Sequence, residues 1–210
     1  MVRVLIVDDF PVVRRGLAEI LSESLRDARV GEANTADEAL ELAGKEDWNL
    51  AVIDLGLPGR DGLWLLEELR RRHPGIPALV LSDYPEAQLA VRCLRLGAAG
   101  YVTKDSAPSE LAAAARRTLA GRMYVPAALA ENLANAVGKG AARPSHEALS
   151  NRELQVLRLV AIGRSLKQIA LDLKLSEKTV ATYRARIAEK LRISTNVELT
   201  RYALRHNLVK

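Results

Sequence analysis

Residues 1–121 alternate short apolar runs with longer amphipathic stretches, and this alternation constrains the fold more than any other feature. Apolar runs at about 3–7, 28–33, 49–54, 77–81 and 98–102 predict five strands, the second of them weak. Apolar residues at helical spacing predict helices at about 12–25, 36–44, 61–72, 86–96 and 108–120, the last with Pro108 as its first residue. Alternating strands and helices predict an α/β domain, a doubly wound, five-stranded parallel sheet.

Residues 149–210 have a different pattern, in which capping residues mark the starts of the helices. A hydroxyl residue is followed three positions later by Glu or Gln at three places, Ser150/Glu153, Ser165/Gln168 and Thr195/Glu198, and Ser176 caps a fourth helix. Four short helices with a tight turn near Leu175 predict an all-α helix-turn-helix domain. Residues 122–148 between the two domains have linker composition, with a short helix expected between 122 and 137.

The charge is distributed unevenly between the two halves. Residues 1–121 hold 15 Lys and Arg against 19 Asp and Glu, whereas residues 122–210 hold 16 against 7. A basic half joined to an acidic one predicts a polyanion partner for the second half only. The single cysteine, Cys93, excludes internal disulfides, and no run of 18 apolar residues predicts a membrane span, so we expect a cytoplasmic protein.

Charged or hydroxyl residues follow four of the predicted strands, and they are Asp8, Asp9, Asp54, Ser82 and Lys104. A parallel sheet brings the carboxyl ends of its strands to one edge, where three carboxylates would repel one another unless a cation intervened. Mg²⁺ suits such ligands. The metal and the lysine could neutralise a phosphoryl group while Asp54 attacks it. Taken singly, each residue is more often a helix cap or a solvated loop residue, but the agreement of four strand ends favours a site.

The chain resembles a known family in motifs spread along nearly its whole length. Residues 1–121 resemble a response-regulator receiver domain, and residues 149–210 resemble the LuxR-type helix-turn-helix of the NarL/FixJ subfamily. The motifs are Asp8-Asp9, Asp54 with Pro58 and Gly62, Leu81-Ser82, Gly97–Tyr101 and Lys104, then Leu149–Glu153, Ile169-Ala170 and Ser176–Val180.

This resemblance implies that Asp54 accepts a phosphoryl group from a sensor histidine kinase. It also implies that Asp9 binds Mg²⁺ directly and Asp8 through water, with the carbonyl of Gly56 as a further ligand. Lys104 would contact the acyl phosphate, and Ser82 and Tyr101 would form the switch pair, with the aromatic ring turning inward. The last helix, about 196–206, would be a dimer contact, although its apolar residues could instead close the domain core.

Three positions depart from the common receiver pattern. Leu57 stands where Met is common, and Asp105 stands where many receivers have Pro. Tyr84 lies two residues after Ser82, and its bulk motivates the hypothesis that phospho-Asp54 hydrolyses slowly. An unchanged or longer acyl-phosphate lifetime in Tyr84→Ala would reject that hypothesis.

The third helix of the second domain, about 177–192, is the expected recognition helix. A helical wheel groups Val180, Ile187 and Leu191 as a buried stripe, and it places Arg184 near that stripe, where pairing within the domain competes with DNA contact. The opposite face would enter a major groove of double-stranded DNA. The expected DNA-contacting residues are Lys178, Thr179, Ala181, Thr182, Ala185, Arg186, Lys190 and Arg192. Because Ala181 stands where the family often has Lys, we expect modest base discrimination and salt-sensitive affinity.

The favoured interpretation is a phosphorylation-controlled, dimeric transcription factor, which is not an enzyme. An alternative is a Mg²⁺-dependent phosphohydrolase with an aspartyl-phosphate intermediate. It would need an acid or base near Asp54, which Gly56 cannot supply, and it leaves the basic domain unexplained. A regulator that works without phosphorylation is a third possibility, against which the set of Asp9, Asp54 and Lys104 argues.

Overall fold

The computed structural model describes residues 1–83, 87–126, 130, 145–173, 175–206 and 208–209. The chain divides into two compact units, Met1–Lys139 and Gly140–Lys210. Between residues 126 and 145 only residue 130 is described, so the predicted domain limits 1–121, 122–148 and 149–210 and the predicted linker helix stay predictions. Within the described residues, no helix is long and apolar enough to cross a membrane.

The first unit contains a five-stranded sheet in the order β2-β1-β3-β4-β5, with every neighbouring pair parallel. The strands are β1 Val2–Val7, β2 Ala28–Ala33, β3 Leu50–Asp54, β4 Ala78–Ser82 and β5 Gly100–Thr103. The helices are α1 Pro11–Ser24, α2 Ala36–Lys45, α3 Gly62–Arg72, α4 Ala87–Arg95 and α5 Ala107–Leu119. Every residue of β3 and β4 is buried, as expected of strands covered on both faces. The predicted fold class is confirmed.

Two boundaries differ from the sequence prediction for a local reason. Strand β5 begins at Gly100 instead of residue 98, because the amide of Ala98 bonds the carbonyl of Cys93 and still closes the end of α4. That helix end turns at Gly97, whose φ of +99° is the left-handed conformation of a C-terminal glycine. Pro108 takes the second position of α5, not the first, since the turn after Lys104 already makes Ala107 helical.

The edge of β5 is covered by the residues that follow α5. The chain reverses at Gly121, and Tyr124 then forms a parallel bridge to Gly100. The amide of Tyr101 donates to the carbonyl of Tyr124 at 3.0 Å, and the amide of Tyr124 donates to the carbonyl of Ala99 at 3.0 Å. A Cβ on Gly100 would lie 2.8 Å from the Tyr124 carbonyl oxygen, so glycine permits this approach.

The second unit contains a 3-10 turn, Ser145–Ala148, and four helices among its described residues, as predicted. They are α6 Asn151–Ala161, α7 Leu166–Leu173, α8 Glu177–Leu191 and α9 Asn196–Arg205. The three predicted capping boxes are confirmed, and Ser176 caps α8 by accepting from the amide of Thr179. Each box satisfies backbone donors that a helix start otherwise leaves unpaired. The capping residues therefore define where the helices of this helix-turn-helix domain begin.

Candidate functional site

The carboxyl ends of β1 and β3 bring three carboxylates together at one edge of the sheet. Oxygen atoms of Asp8, Asp9 and Asp54 all lie within 4.8 Å of one another. Asp8 is 0 % exposed and Asp54 is 2 % exposed, so both charges are removed from bulk water. Such a cluster is costly unless positive charge compensates it.

Lys104 supplies positive charge at this cluster from the turn that follows β5. Its ammonium nitrogen lies 2.8 Å from Oδ2 of Asp8 and 3.0 Å from Oδ2 of Asp54. The backbone amide of Lys104 donates to the carbonyl of Ser82 at 2.8 Å, which fixes the turn against the end of β4. Burial opposes the charge, but the carboxylates of Asp54 and Asp8 raise the pKa of Lys104, so it stays a cation.

One lysine does not compensate the whole cluster. Burial raises the pKa of Asp54 to about 6, although Lys104 and the amide of Gly56 act in the opposite direction. Burial and the neighbouring Asp8 also raise the pKa of Asp9. Oδ1 of Asp9 and Oδ1 of Asp54 are buried and find no hydrogen-bond donor in the part of the chain that the structure describes. A set of carboxylate oxygens in this condition fits a hard divalent cation.

Two glycines shape the backbone around Asp54. A Cβ on Gly62 would lie 2.1 Å from the carbonyl oxygen of Asp54 and 2.7 Å from Cα of Leu55, so α3 starts in direct contact with the end of β3. Asp61 caps that helix by accepting from the amide of Trp64 at 2.9 Å. A Cβ on Gly56 would lie 3.1 Å from Oδ2 of Asp54, so glycine leaves room beside the carboxylate.

The two residues expected to form the switch pair are both fully buried. Ser82 ends β4, and Tyr101 lies in β5, with the two strands paired in parallel. The ring of Tyr101 is therefore inside the domain in this structure. Tyr84, for which slow hydrolysis was hypothesised, lies outside the described residues.

Two residues at this edge were not anticipated from the sequence. Phe10 is 59 % exposed, and its ring centroid lies 5.8 Å from Nζ of Lys104. Arg14, in the first turn of α1, donates from Nη1 to the carbonyl of Asp8 at 2.7 Å. Pro11, the first residue of α1, indicates that a helix starts directly after Phe10, but it does not indicate which atoms Arg14 contacts.

Helix α8 presents the face that was predicted to contact DNA. Val180, Ile187 and Leu191 are buried, which confirms the predicted stripe. The exposed residues of α8 and its C-cap are Glu177, Lys178, Ala181, Thr182, Ala185, Arg186, Glu189, Lys190 and Arg192, while Thr179 is half-buried. The hydroxyl of Thr182 donates to the carbonyl of Lys178 at 2.9 Å, and its oxygen can still accept a hydrogen bond.

Two basic residues of α8 are held by other parts of the same domain. Arg184 donates to Oδ1 of Asn196 at 3.0 Å and to the carbonyl of Ser194 at 3.1 Å, so it pairs within the domain. Nζ of Lys190 lies 2.6 Å from Oε2 of Glu153 and 3.1 Å from the carbonyl of Ala148. A phosphate would compete with these partners for Lys190.

Helix α9 divides its apolar residues between the core and the surface. Leu199 and Ala203 are fully buried, whereas Val197 is 69 % exposed and Leu204 is 51 % exposed. Leu199 and Ala203 therefore close the domain core, whereas the dimer contact expected of this helix stays a prediction.

The comparison with known families covers both units. Residues 4–116 match the response regulator receiver domain, and residues 147–203 match the bacterial regulatory proteins of the luxR family. A putative transcriptional regulator of Pseudomonas aeruginosa is 40 % identical over 209 residues, covering 100 % of both chains. The response regulator GacA of Pseudomonas protegens is 36 % identical, covering 100 % of this chain and 98 % of its own.

Solved structures give the same result. RcsB from Salmonella enterica serovar Typhimurium, bound to promoter rprA in the presence of phosphomimetic BeF3−, matches with a TM-score of 0.69 and 28 % identity. The match covers 96 % of this chain and 97 % of that one. The response regulator ChrA of a heme-sensing two-component system matches with a TM-score of 0.52 and 32 % identity, covering 99 % and 98 %.

Proposed function

The chain belongs to the NarL/FixJ family of two-component response regulators, and from this we propose that Asp54 is its phosphoacceptor and that phosphorylation controls DNA binding by the second unit. The observation that carries the proposal is the cluster of Asp8, Asp9 and Asp54 with Lys104 bridging two of the carboxylates. A buried nucleophile beside a fixed cation is what phosphoryl transfer to a carboxylate requires.

The proposed transfer starts from a phosphohistidine of a sensor kinase. An oxygen of Asp54 attacks phosphorus, the bond between phosphorus and the imidazole nitrogen breaks, and its electron pair leaves with nitrogen. With a pKa of about 6, Asp54 is mostly ionised at pH 7 and can act as the nucleophile. Lys104, which now bridges Asp8 and Asp54, would contact the incoming phosphoryl oxygens.

The same carboxylates would hold Mg²⁺, which supplies further charge neutralisation when bound. Oδ1 of Asp9 and Oδ1 of Asp54, buried and without hydrogen-bond donors among the described residues, are two of the atoms available to it. Asp8 and the carbonyl of Gly56 complete the proposed ligand set.

Ser82 and Tyr101 would report the phosphorylated state. In the proposal, the hydroxyl of Ser82 donates to a phosphoryl oxygen and the buried ring of Tyr101 occupies the space beneath it. Support comes from their burial and from the parallel pairing of β4 and β5 that carries them. A ligand that stabilises one of two states shifts their populations by its difference in affinity.

DNA binding is assigned to the exposed face of α8, and dimerisation to the exposed apolar residues of α9. A second chain covering Val197 and Leu204 would pair two recognition helices on a two-fold site. The relative RcsB was solved on promoter DNA, which supports the same role here. We propose that this DNA binding takes place in the cytoplasm. The family favours a transcription regulator over the phosphohydrolase alternative.

The proposal is tested with acetyl phosphate on the full-length chain. We expect one phosphoryl group per chain, dependent on Mg²⁺ and lost in Asp54→Asn, together with tighter DNA binding and a larger mass by light scattering. Continuous release of phosphate from generic esters would instead indicate an enzyme. Absence of labelling, or DNA affinity and mass that do not respond to labelling or beryllofluoride, would overturn the proposal.

The DNA interface is tested by the salt dependence of binding. Removing one phosphate contact reduces the slope of log affinity against log salt by about 0.9. Lys178→Met should show this reduction, and Lys190→Met a smaller one, since Lys190 is bound to Glu153. Arg186→Ala should lower the preference for specific over non-specific DNA; an undiminished preference rules it out as a base reader.

A further inference from the structure

Arg14 joins the ends of two neighbouring strands at the edge that holds the carboxylate cluster. Its Nη1 donates to the carbonyl oxygen of Asp8 at 2.7 Å, and its Nε donates to Oε2 of Glu32, near the end of β2, at 2.9 Å. The side chain of Arg14 is 13 % exposed, whereas that of Glu32 is 43 % exposed. The guanidinium is therefore packed between the strand ends with two donors in use.

The bond to Asp8 acts on the backbone that carries the carboxylates. The carbonyl of Asp8 and the amide of Asp9 belong to one planar peptide group, so holding the oxygen also orients the chain that enters Asp9. The side chain of Asp8 is held separately, because Oδ1 accepts from the amide of Phe10 at 2.8 Å and Oδ2 faces Lys104. Among the described contacts, Arg14 is the side chain that holds the Asp8 carbonyl.

We propose that Arg14 is a positioning residue for the metal-binding carboxylates, holding the Asp8–Asp9 peptide so that both side chains converge with Asp54. The inference rests on the proposed function, since it concerns the cation that phosphoryl transfer uses. Groups that orient metal ligands without touching the metal commonly change metal affinity by 10- to 100-fold when removed. A guanidinium offers two donors in a fixed planar fork, which an ammonium cannot reproduce.

A purely structural role for Arg14 gives different expectations. If its function were only the ion pair that ties α1 to β2, Glu32→Gln would reproduce its loss, and metal affinity would follow overall stability. Ion pairs with an exposed partner contribute little to stability. The positioning role instead requires that the bond to Asp8 matters for the metal when the bond to Glu32 is weakened.

The experiment measures Mg²⁺ binding calorimetrically on the full-length chain, with the melting temperature in EDTA as the measure of folding. We expect Arg14→Gln to raise the dissociation constant for Mg²⁺ about tenfold or more, and Arg14→Lys to raise it less. Arg15→Gln removes the same charge from the next, exposed residue of α1 and should leave the constant unchanged. Glu32→Gln should change it less than twofold.

Labelling by acetyl phosphate gives the second measurement. In Arg14→Gln, the Mg²⁺ concentration for half-maximal labelling should rise by the factor seen in calorimetry, while the rate at saturating Mg²⁺ stays near that of the unsubstituted chain. Equal Mg²⁺ constants for Arg14→Gln, Arg15→Gln and the unsubstituted chain would overturn the inference and leave the proposed function standing. An unsubstituted chain that neither binds Mg²⁺ nor is labelled overturns the proposed function, and this inference with it. Should Arg14→Gln fail to fold, Arg14→Lys against Arg15→Gln decides in the same way.

Discussion

The ammonium nitrogen of Lys104 lies 3.0 Å from Oδ2 of Asp54, yet the pKa of that carboxyl is raised to about 6. Burial of the carboxylate therefore outweighs the attraction of the lysine. The domain holds its proposed nucleophile in a state whose charge costs stability, and binding of a cation would relieve that cost.

The raised pKa of Asp54 makes stability depend on pH with a sign opposite to that of most carboxylates. The folded chain holds the proton more tightly than the unfolded chain, so stability falls as pH rises from about 4 to about 6 and then levels off. The full effect is about 3 kcal/mol. Urea denaturation in EDTA should therefore show that the free energy of unfolding of Asp54→Asn, minus that of the unsubstituted chain, increases as pH rises from 4 to 7. A constant difference across this range would contradict the expectation.

Gly62→Ala should destabilise the first unit strongly. The added methyl would lie 2.1 Å from the carbonyl oxygen of Asp54, a backbone atom that cannot move without shifting β3. We expect a loss of at least ~2 kcal/mol in the free energy of unfolding. Gly16→Ala is the matched control, since a Cβ there meets no atom within 4 Å and the site is inside α1. It should stabilise by about 1 kcal/mol; similar losses at both positions would refute the packing argument.

Glu153 and Lys190 should stabilise the second unit in a pH-dependent way. Burial works in the opposite direction, but the hydrogen bonds from Lys190 and Ser150 lower the pKa of Glu153 below the ordinary value of 4.5. The stabilisation is therefore present above that value and is lost as pH falls through the lowered pKa. Glu153→Gln should cost about 2 kcal/mol at pH 7 and less at pH 3, measured by chemical denaturation. A cost that does not shrink in acid would exclude the ion pair as its cause.

Arg192 ends α8 in the left-handed conformation, with φ 56° and ψ 44°. Glycine adopts this conformation without the steric cost that a side chain brings, so Arg192→Gly should stabilise the domain by about 0.5–1 kcal/mol. The same substitution removes a predicted DNA-contacting side chain and should weaken DNA binding. Arg192→Lys keeps both the charge and the backbone cost, and it should change neither quantity much. Thermal melts and DNA titrations of the two variants check both effects.

The sequence was sufficient to predict structure where a residue type has one common role in its local segment. Hydroxyl residues followed by Glu or Gln predicted helix starts, and the wheel predicted the stripe of Val180, Ile187 and Leu191. Polar residues at strand ends predicted which side chains meet, because a parallel sheet fixes where strands end. These features depend on neighbours along the chain or on the sheet alone.

The sequence was insufficient where a long side chain chooses between partners. Lys190 was predicted to contact DNA, but its long, flexible side chain binds Glu153, which lies 37 residues away in the sequence. Arg14 gave no signal of its contact with Asp8, since helical spacing does not fix which end of a guanidinium faces a strand. Trp48 occupies the space beside Gly31, so close that a Cβ there would lie 2.2 Å from its ring. Such pairings depend on the final packing.

The bridge between Tyr124 and Gly100 determines where the chain can be truncated to produce the first unit alone. A fragment ended at Gly121 would include every residue proposed for phosphoryl chemistry, but the amide of Tyr101 and the carbonyl of Ala99 would lose their partner. An uncovered edge strand is a template for pairing with another chain. A fragment cut there is expected to self-associate through β5, and a dimer measured on it would reflect the cut. A fragment that extends to Pro126 retains the natural edge.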